Sequence, residues 1–307
     1  MQSQDDAATQ DTSRPDISVV VPTFNNLDVL RRCIDGWREH GGDDVEIVVV
    51  EDGCRDATPA YLEETAATAW GRRQLRWVRE TDAHELRCTN RGLTAASGAL
   101  VMAWQDDMFL RASWLVPELI RTFGAYDDIG MISLSRGLNT LPLDEPLETW
   151  EQLIDGRRLQ STIGPSPGNW IRLQEVDIVI RPWIVRKACV DQVGVLDEAF
   201  RPTEWDEADL ALRLRGAGWR VATCGYERLG AYVHLGSTTI SRAPSGPYRA
   251  RVLENGLLFH ARWDRTIAAQ HPRSRRTWPR RATAAGWAAT VRQMARFGVR
   301  RLAGSSA

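Results

Sequence analysis

Ile17-Ser-Val-Val-Val-Pro22, followed by Thr23-Phe-Asn-Asn26, is the stretch on which the reading of this 307-residue chain turns. Its β-branched residues run consecutively instead of alternating with polar ones. That suits a strand covered on both faces, and Pro22 closes it. Beyond it, Leu27, Leu30, Ile34 and Trp37 recur in steps of three and four, one face of a helix capped by Asn25 or Asn26. Val45-Glu-Ile-Val-Val-Val50 predicts a second buried strand and residues 59–70 a helix. Leu75–Val78 reads as a third strand, and Ala99–Trp104 as a fourth after a helix ending near Gly98. Strands alternating with helices require right-handed crossovers, so the fold class is α/β: a mainly parallel sheet with helices on both faces.

The second half is less regular. Residues 136–176 hold Pro142, Pro146, Gly164, Pro165, Pro167 and Gly168 with little periodicity, and a long, partly ordered excursion is expected there. Val176–Ile184 resumes as a strand, Glu207–Arg215 reads as a helix stopped by Gly216 or Gly218, and Trp219–Cys224 and Ala231–Leu235 read as further strands. The expected organisation is a disordered acidic tail over 1–15, one half over 16–135, a second over 136–240 and a basic extension over 241–307.

Composition bounds the function classes. The chain has 39 Lys plus Arg against 40 Asp plus Glu, yet Lys187 is its only lysine, and residues 265–307 hold ten arginines and no acid. That segment carries +10 and the first 264 residues carry −11, so a net charge of −1 hides an acidic body with a basic tail. At 43% hydrophobic residues the chain can bury a full core. Its polar start does not read as a secretory signal, and no apolar run reaches the ~18 residues of a spanning helix. Five cysteines without CxxC spacing fit neither a disulfide framework nor structural zinc, which points to the cytoplasm.

In an open parallel sheet, ligands bind beyond the carboxyl ends of the strands. Three polar clusters qualify: Thr23, Phe24 and Asn25; Glu51, Asp52 and Asp56; and Gln105, Asp106 and Asp107. Neither GxGxxG nor GxxxxGK[ST] occurs, so a dinucleotide site and a P-loop lack their signature. Paired carboxylates at a strand end suit a hard divalent cation able to bridge a diphosphate. Taken alone, Asp52 and Asp56 also fit turn and cap positions, and Trp183 and Trp205 also fit a core.

The first of these pieces is Ser18-Val-Val-Val-Pro-Thr-Phe-Asn25, followed by Val48-Val-Val-Glu-Asp-Gly53 and Asn90-Arg-Gly-Leu-Thr-Ala-Ala-Ser-Gly98. The strand into Gln105-Asp-Asp107 with Ser113-Trp-Leu115 comes next. Gly194-Val-Leu-Asp-Glu-Ala-Phe200 and Trp205-Asp-Glu-Ala-Asp-Leu-Ala-Leu-Arg213 close the series. In this order they resemble the successive motifs of the family 2 glycosyltransferases over residues 16–240. The resemblance implies a GT-A, Rossmann-like fold and a bacterial enzyme of polysaccharide biosynthesis. Such an enzyme inverts the configuration of a sugar as it moves it from a nucleotide-sugar donor to a hydroxyl of a glycan, lipid-linked or small-molecule acceptor. A catalytically idle nucleotide-sugar-binding protein on the same fold is the alternative.

Residue by residue, the resemblance puts Pro22, Thr23 and Phe24 beside the nucleotide base, with Phe24 stacked on it. Asp52 would hydrogen-bond the base, and Asn25 and Asn90 would line the donor site. Asp107 would bind Mn²⁺ or Mg²⁺, with Asp106 near the ribose and metal, and His234 facing the metal or the diphosphate. Gln105 stands where the family carries the first acid of its DxD motif. Glu207 falls at the position of the catalytic base, with Asp206-Glu207 replacing the usual Glu-Asp order. Trp205 and Trp183 would offer a surface to the acceptor.

The tail has its own pattern. Trp287, Val291, Met294 and Leu302 fall at helical spacing, while Arg292, Arg296 and Arg300 recur every four residues. Residues 273–302 therefore read as a basic amphipathic helix for an anionic membrane surface, at the inner face of the membrane. Packing in a homo-oligomer is the alternative. Nucleic acid is not expected, because the acidic body lacks an interleaved aromatic and basic platform.

Overall fold

A computed structural model describes residues 15–135, 137–138, 161–168, 172–202, 204–236 and 246–270. Nine strands form the main sheet in the order β3 (Leu75–Glu80), β2 (Val45–Asp52), β1 (Ile17–Thr23), β4 (Leu100–Ala103), β11 (Trp183–Arg186), β6 (Ile129–Ser133), β12 (Arg220–Thr223), β9 (Arg172–Glu175) and β8 (Ser161–Pro165). β5 (Met108–Leu110) pairs with β13 (Tyr232–His234), and β7 (Gly137–Leu138) with β10 (Ile178–Val179), as two small separate sheets. β1 runs parallel to β2 and β4, β2 to β3, and β6 to β12. β11 is antiparallel to both β4 and β6, and β9 to both β12 and β8, so within the main sheet these two strands are reversed and the rest share one direction.

The consecutive valines have the cause inferred from the sequence. Val19, Val21, Ile47 and Val49 pack on one face with Leu30, Ile34 and Trp37 of the Leu27–His40 helix. Val20 and Val48 enter a second core on the opposite face with Leu86 and Leu93 of the His84–Ala95 helix. Helices on both faces leave no side of these strands for water, so alternation with polar residues is not required.

The expected strand over 176–184 is a correction. The chain there forms β10 and β11 with a break between, because Pro182 has no amide hydrogen to give a ladder and Ile178–Val179 turns aside to pair with β7. The sequence reading also passed over β5, β6 and the helices Leu115–Ala125, Lys187–Val193 and Gly246–Gln270. The acidic tail up to residue 14 and the arginine-rich helix expected over 273–302 lie outside the described residues. Among the described residues, no helix is long and apolar enough to cross a membrane.

One glycine sets the spacing between sheet and helix. A Cβ on Gly92 would run into the side chain of Val20, which β1 holds in the core. Gly92→Ala is expected to destabilise the fold by about 1–3 kcal/mol, as overpacked cores do, read as a lower midpoint in urea at unchanged slope.

Candidate functional site

The register places the polar clusters together. Thr23 lies opposite Glu51 and Val20 opposite Ala103, so the segments after β1, β2 and β4 leave the sheet at one edge. Reversed β11 pairs Trp183 with Ala103, which brings Arg181, just ahead of it, to that same edge. Thr23 Oγ1 donates to Asp106 Oδ2 at 2.8 Å, stitching the first and fourth strand ends together. Asn25 sits in the left-handed region at φ 48°, its side-chain oxygen accepting from the Arg55 amide at 2.7 Å and its own amide meeting Cys54 Sγ at 3.1 Å. Between these anchors Phe24 is 45% exposed, while Pro22 is partly buried in the last turn of β1. An aromatic ring left this open has a face available to another planar group.

Asp52 is 8% exposed and accepts backbone N–H bonds from Ala83 (2.7 Å) and His84 (2.9 Å). Both oxygens thus tie β2 to the start of the His84–Ala95 helix, a long-range anchor in place of a local turn or cap within its own loop. Asn90 bridges two segments. Its Nδ2 donates to Leu196 O at 2.8 Å and its Oδ1 accepts from Leu196 N at 2.9 Å. With both ends of the amide engaged, it clamps the His84–Ala95 helix to the 194–200 segment.

Asp106 and Asp107 are 7% and 4% exposed. Burial, opposed by the Thr23 hydrogen bond and reinforced by the Asp107 charge, pushes the Asp106 carboxyl up to about 7. Asp107 Oδ1 stands 3.4 Å from His234 Nε2. The Leu235 amide bonds to the Asp107 carbonyl at 3.0 Å, and the β5–β13 pairing, with His234 opposite Met108, holds the two chains together. Among the described residues, no three His, Cys, Asp or Glu side chains form a ready cage for a metal. A carboxylate oxygen beside an imidazole nitrogen still fits a divalent cation that takes its remaining ligands from substrate phosphates and water.

The presumed base lies within a buried charge cluster that sequence reading missed. Arg181 Nε donates to Glu207 Oε1 at 2.6 Å, and the Arg181 backbone amide to Glu207 Oε2 at 3.2 Å. Its Nη1 pairs with Glu85 Oε1 and meets Thr89 Oγ1 at 3.4 Å, and its Nη2 lies 3.8 Å from Asp206 Oδ2. Burial disfavours the guanidinium charge, yet Glu207, Glu85 and Asp206 outweigh it and raise the Arg181 pKa. Asp206 Oδ2 is buried with no hydrogen-bond donor. Burial first, and the Glu207 charge second, push the Asp206 carboxyl up to about 8 against the opposing pull of Arg181. Asp206 therefore holds its proton at neutrality. Removing the one cation from such a buried cluster costs about 3–5 kcal/mol.

The two tryptophans part company. Trp183 is wholly enclosed in the core, so the acceptor surface expected of it gives way to the core alternative. Trp205, like Glu204 before it, has a positive φ (70° and 75°), a conformation costing about 1–3 kcal/mol for a non-glycine residue and typical of functional sites. Its ring packs on Phe259 (5.0 Å between centroids) and His260 (5.6 Å) of the Gly246–Gln270 helix. Asp209, next along, accepts from Arg213 (2.8 Å), Arg262 (2.7 Å) and Trp263 (2.9 Å), so it anchors that helix to the one bearing Glu207.

Comparison with known proteins gives the same reading from outside. The model of the family described as "Glycosyl transferase family 2" matches residues 18–180. EpsH of Bacillus subtilis (strain 168), named as a candidate glycosyltransferase, is 26% identical over 119 residues, which is 38% of this chain and 32% of that protein. The crystal structure of residues 1–349 of S. aureus TarS with UDP-GlcNAc is similar in fold, with TM-score 0.54 and 15% identity over 80% of this chain and 65% of that one. A mannosyltransferase from Pyrobaculum calidifontis, PcManGT, solved with GDP-Man and Mn²⁺, covers 92% of this chain and 81% of its own at 17% identity and TM-score 0.49. This chain thus spans about a third of the curated relative and under two thirds of TarS 1–349.

The Asp206 proton makes stability depend on pH. The unfolded chain releases that proton near the ordinary 3.8, whereas the folded protein keeps it up to about 8, so stability falls as pH rises through this window. Asp206→Asn removes the dependence. Its melting temperature is expected to gain on the wild type progressively from pH 5 to pH 8.5; a difference that stays constant or shrinks contradicts a buried neutral Asp206.

Proposed function

Because the chain belongs to glycosyl transferase family 2, we propose that it transfers a sugar from a nucleotide-sugar donor to an acceptor hydroxyl with inversion of configuration. The observation that carries this reading is one sheet edge shared by an open aromatic ring at Phe24, the Asp107–His234 pair, and Glu207 joined to that edge through Gln105, Glu85 and Arg181. Residues 16–135 form the donor half and residues 136–240 the acceptor half. Phe24 stacks on the nucleotide base, Thr23 fixes Asp106, and Asp52 holds the loop ahead of the His84–Ala95 helix that closes the donor side. Asp107 and His234 would hold Mn²⁺ or Mg²⁺, which when bound would supply positive charge to offset that of the departing nucleoside diphosphate.

Glu207 takes the proton of the acceptor hydroxyl as that oxygen attacks the anomeric carbon and the bond to the diphosphate breaks. Each of its oxygens accepts one bond from Arg181 and retains a lone pair for that proton. Asp206, neutral and buried, adds no second charge that would compete for it. A glycan or lipid-linked acceptor on the inner membrane face suits the basic segment 273–302.

The test is turnover across a panel of UDP-, GDP- and dTDP-sugars with Mn²⁺. Asp107→Ala and Glu207→Gln are each expected to lower kcat by about 10²–10⁴-fold, with donor binding retained in Glu207→Gln. Nucleotide-sugar binding by the wild type with neither transfer nor hydrolysis would instead establish the idle, binding-only alternative.

A further inference from the structure

Four side chains from four separate segments form a single chain of polar contacts. Gln105 Nε2, at the end of the fourth strand, donates to Glu85 Oε1 at 3.2 Å. The same Glu85 oxygen, on the first turn of the His84–Ala95 helix, accepts from Arg181 Nη1. Arg181, ahead of reversed β11, then grips both oxygens of Glu207 at 2.6 and 3.2 Å. Arg181 and Asp206 are 5% and 2% exposed and Glu207 14%, so water screens this end of the cluster little, while Glu85 at 30% is reached by solvent.

The charges explain why an amide stands at 105. The titratable groups facing one another here are Glu85, Arg181, Asp206 and Glu207, one cation against three acids. An acid at 105 would set a further carboxylate against Glu85 at a distance where Gln105 now donates a hydrogen bond. Glu85 would then be driven from Arg181, and Arg181 would lose the contact opposite Glu207 that fixes its plane. Guanidinium geometry matters as much as charge. Nε and the backbone amide address Glu207 while Nη1 addresses Glu85, a fork that a lysine ammonium does not reproduce.

We infer that Arg181 is the positioning residue of Glu207, and that Gln105, by donating to Glu85, holds Arg181 in place. This rests on the reading of Glu207 as base. It links the diphosphate end of the site to the acceptor end, since the residue next to Asp106 and Asp107 restrains the group that deprotonates the acceptor.

The experiment compares wild type, Arg181→Lys, Arg181→Ala with and without millimolar guanidinium, Gln105→Asp, and Gln105→Asp combined with Glu85→Gln. Turnover is measured with nucleotide-sugars and Mn²⁺, and binding of UDP, GDP and dTDP by calorimetry. Arg181→Lys is expected to lower kcat about tenfold or more while nucleotide affinity and donor KM stay within about twofold, since positioning of the base acts after donor binding. Guanidinium should restore part of the activity of Arg181→Ala. Should that variant not fold, Arg181→Lys, which keeps the charge, carries the same test. Gln105→Asp should be slower than wild type, and adding Glu85→Gln, which removes one of the two opposed carboxylates, should recover part of the loss. An active wild type with Arg181→Lys equally fast, or with Gln105→Asp as fast or faster, overturns this inference alone. A wild type that binds a nucleoside diphosphate and never turns over overturns the base reading and this inference with it.

Discussion

The Arg181 guanidinium is the interaction on which the arrangement of the site depends. It is the cation set among Glu85, Asp206 and Glu207, which come from two different helices. Burying a lone carboxylate is costly, and the adjacent, largely enclosed Asp206 and Glu207 are tolerated together where one is neutral and the other has a well-directed donor. Asp206 supplies the first condition and the fork of Arg181 the second. The reversal of β11 is what makes this geometry available, because a strand running the common way would present its far end, not its beginning, to the carboxyl edge.

The first part of the sheet was legible because its physics is local. Consecutive valines declare a strand buried on two faces, Thr23-Phe-Asn-Asn26 declares an exit into a helix, and Gln105-Asp-Asp107 declares acids at a strand end. Arg181 was not legible. Nothing in Ile180-Arg-Pro-Trp183 marks a cation that will meet three acids distant in sequence, and only the antiparallel pairing of Trp183 with Ala103 brings it there. Asn90 falls in a matching motif, and its amide bonds the backbone of Leu196, a contact no pattern of residue types discloses. A tryptophan's place is similarly undetermined by sequence: Trp183 fills the core, whereas Trp205 sits strained at the helix start.

The Gly246–Gln270 helix adds a connection that charge counting obscured. Read from composition it belongs to a basic extension, but its Arg262 and Trp263 reach Asp209 and its Asn255 reaches the Phe200 carbonyl at 2.6 Å. Gly256 lets the helix approach Trp205, whose ring lies 3.2 Å from where a Cβ would stand. The segment following the body is therefore bound to the same helix that presents Glu207. The near-zero net charge of the chain averages over two parts of opposite sign, and the acids of the body are in part accounted for by this one edge of the sheet.

On the function proposed, the edge formed by Phe24, Asp107 and His234 receives a nucleotide-sugar with a divalent cation. A thermal-shift series on the full chain with UDP-, GDP- and dTDP-sugars, each with and without Mn²⁺, tests it directly, since a ligand that binds only the folded state raises its stability by mass action. One nucleotide class is expected to raise the melting temperature, more so with Mn²⁺, and Asp107→Ala to abolish the metal-dependent part. Failure of all three classes to stabilise the protein, with or without the metal, would contradict it.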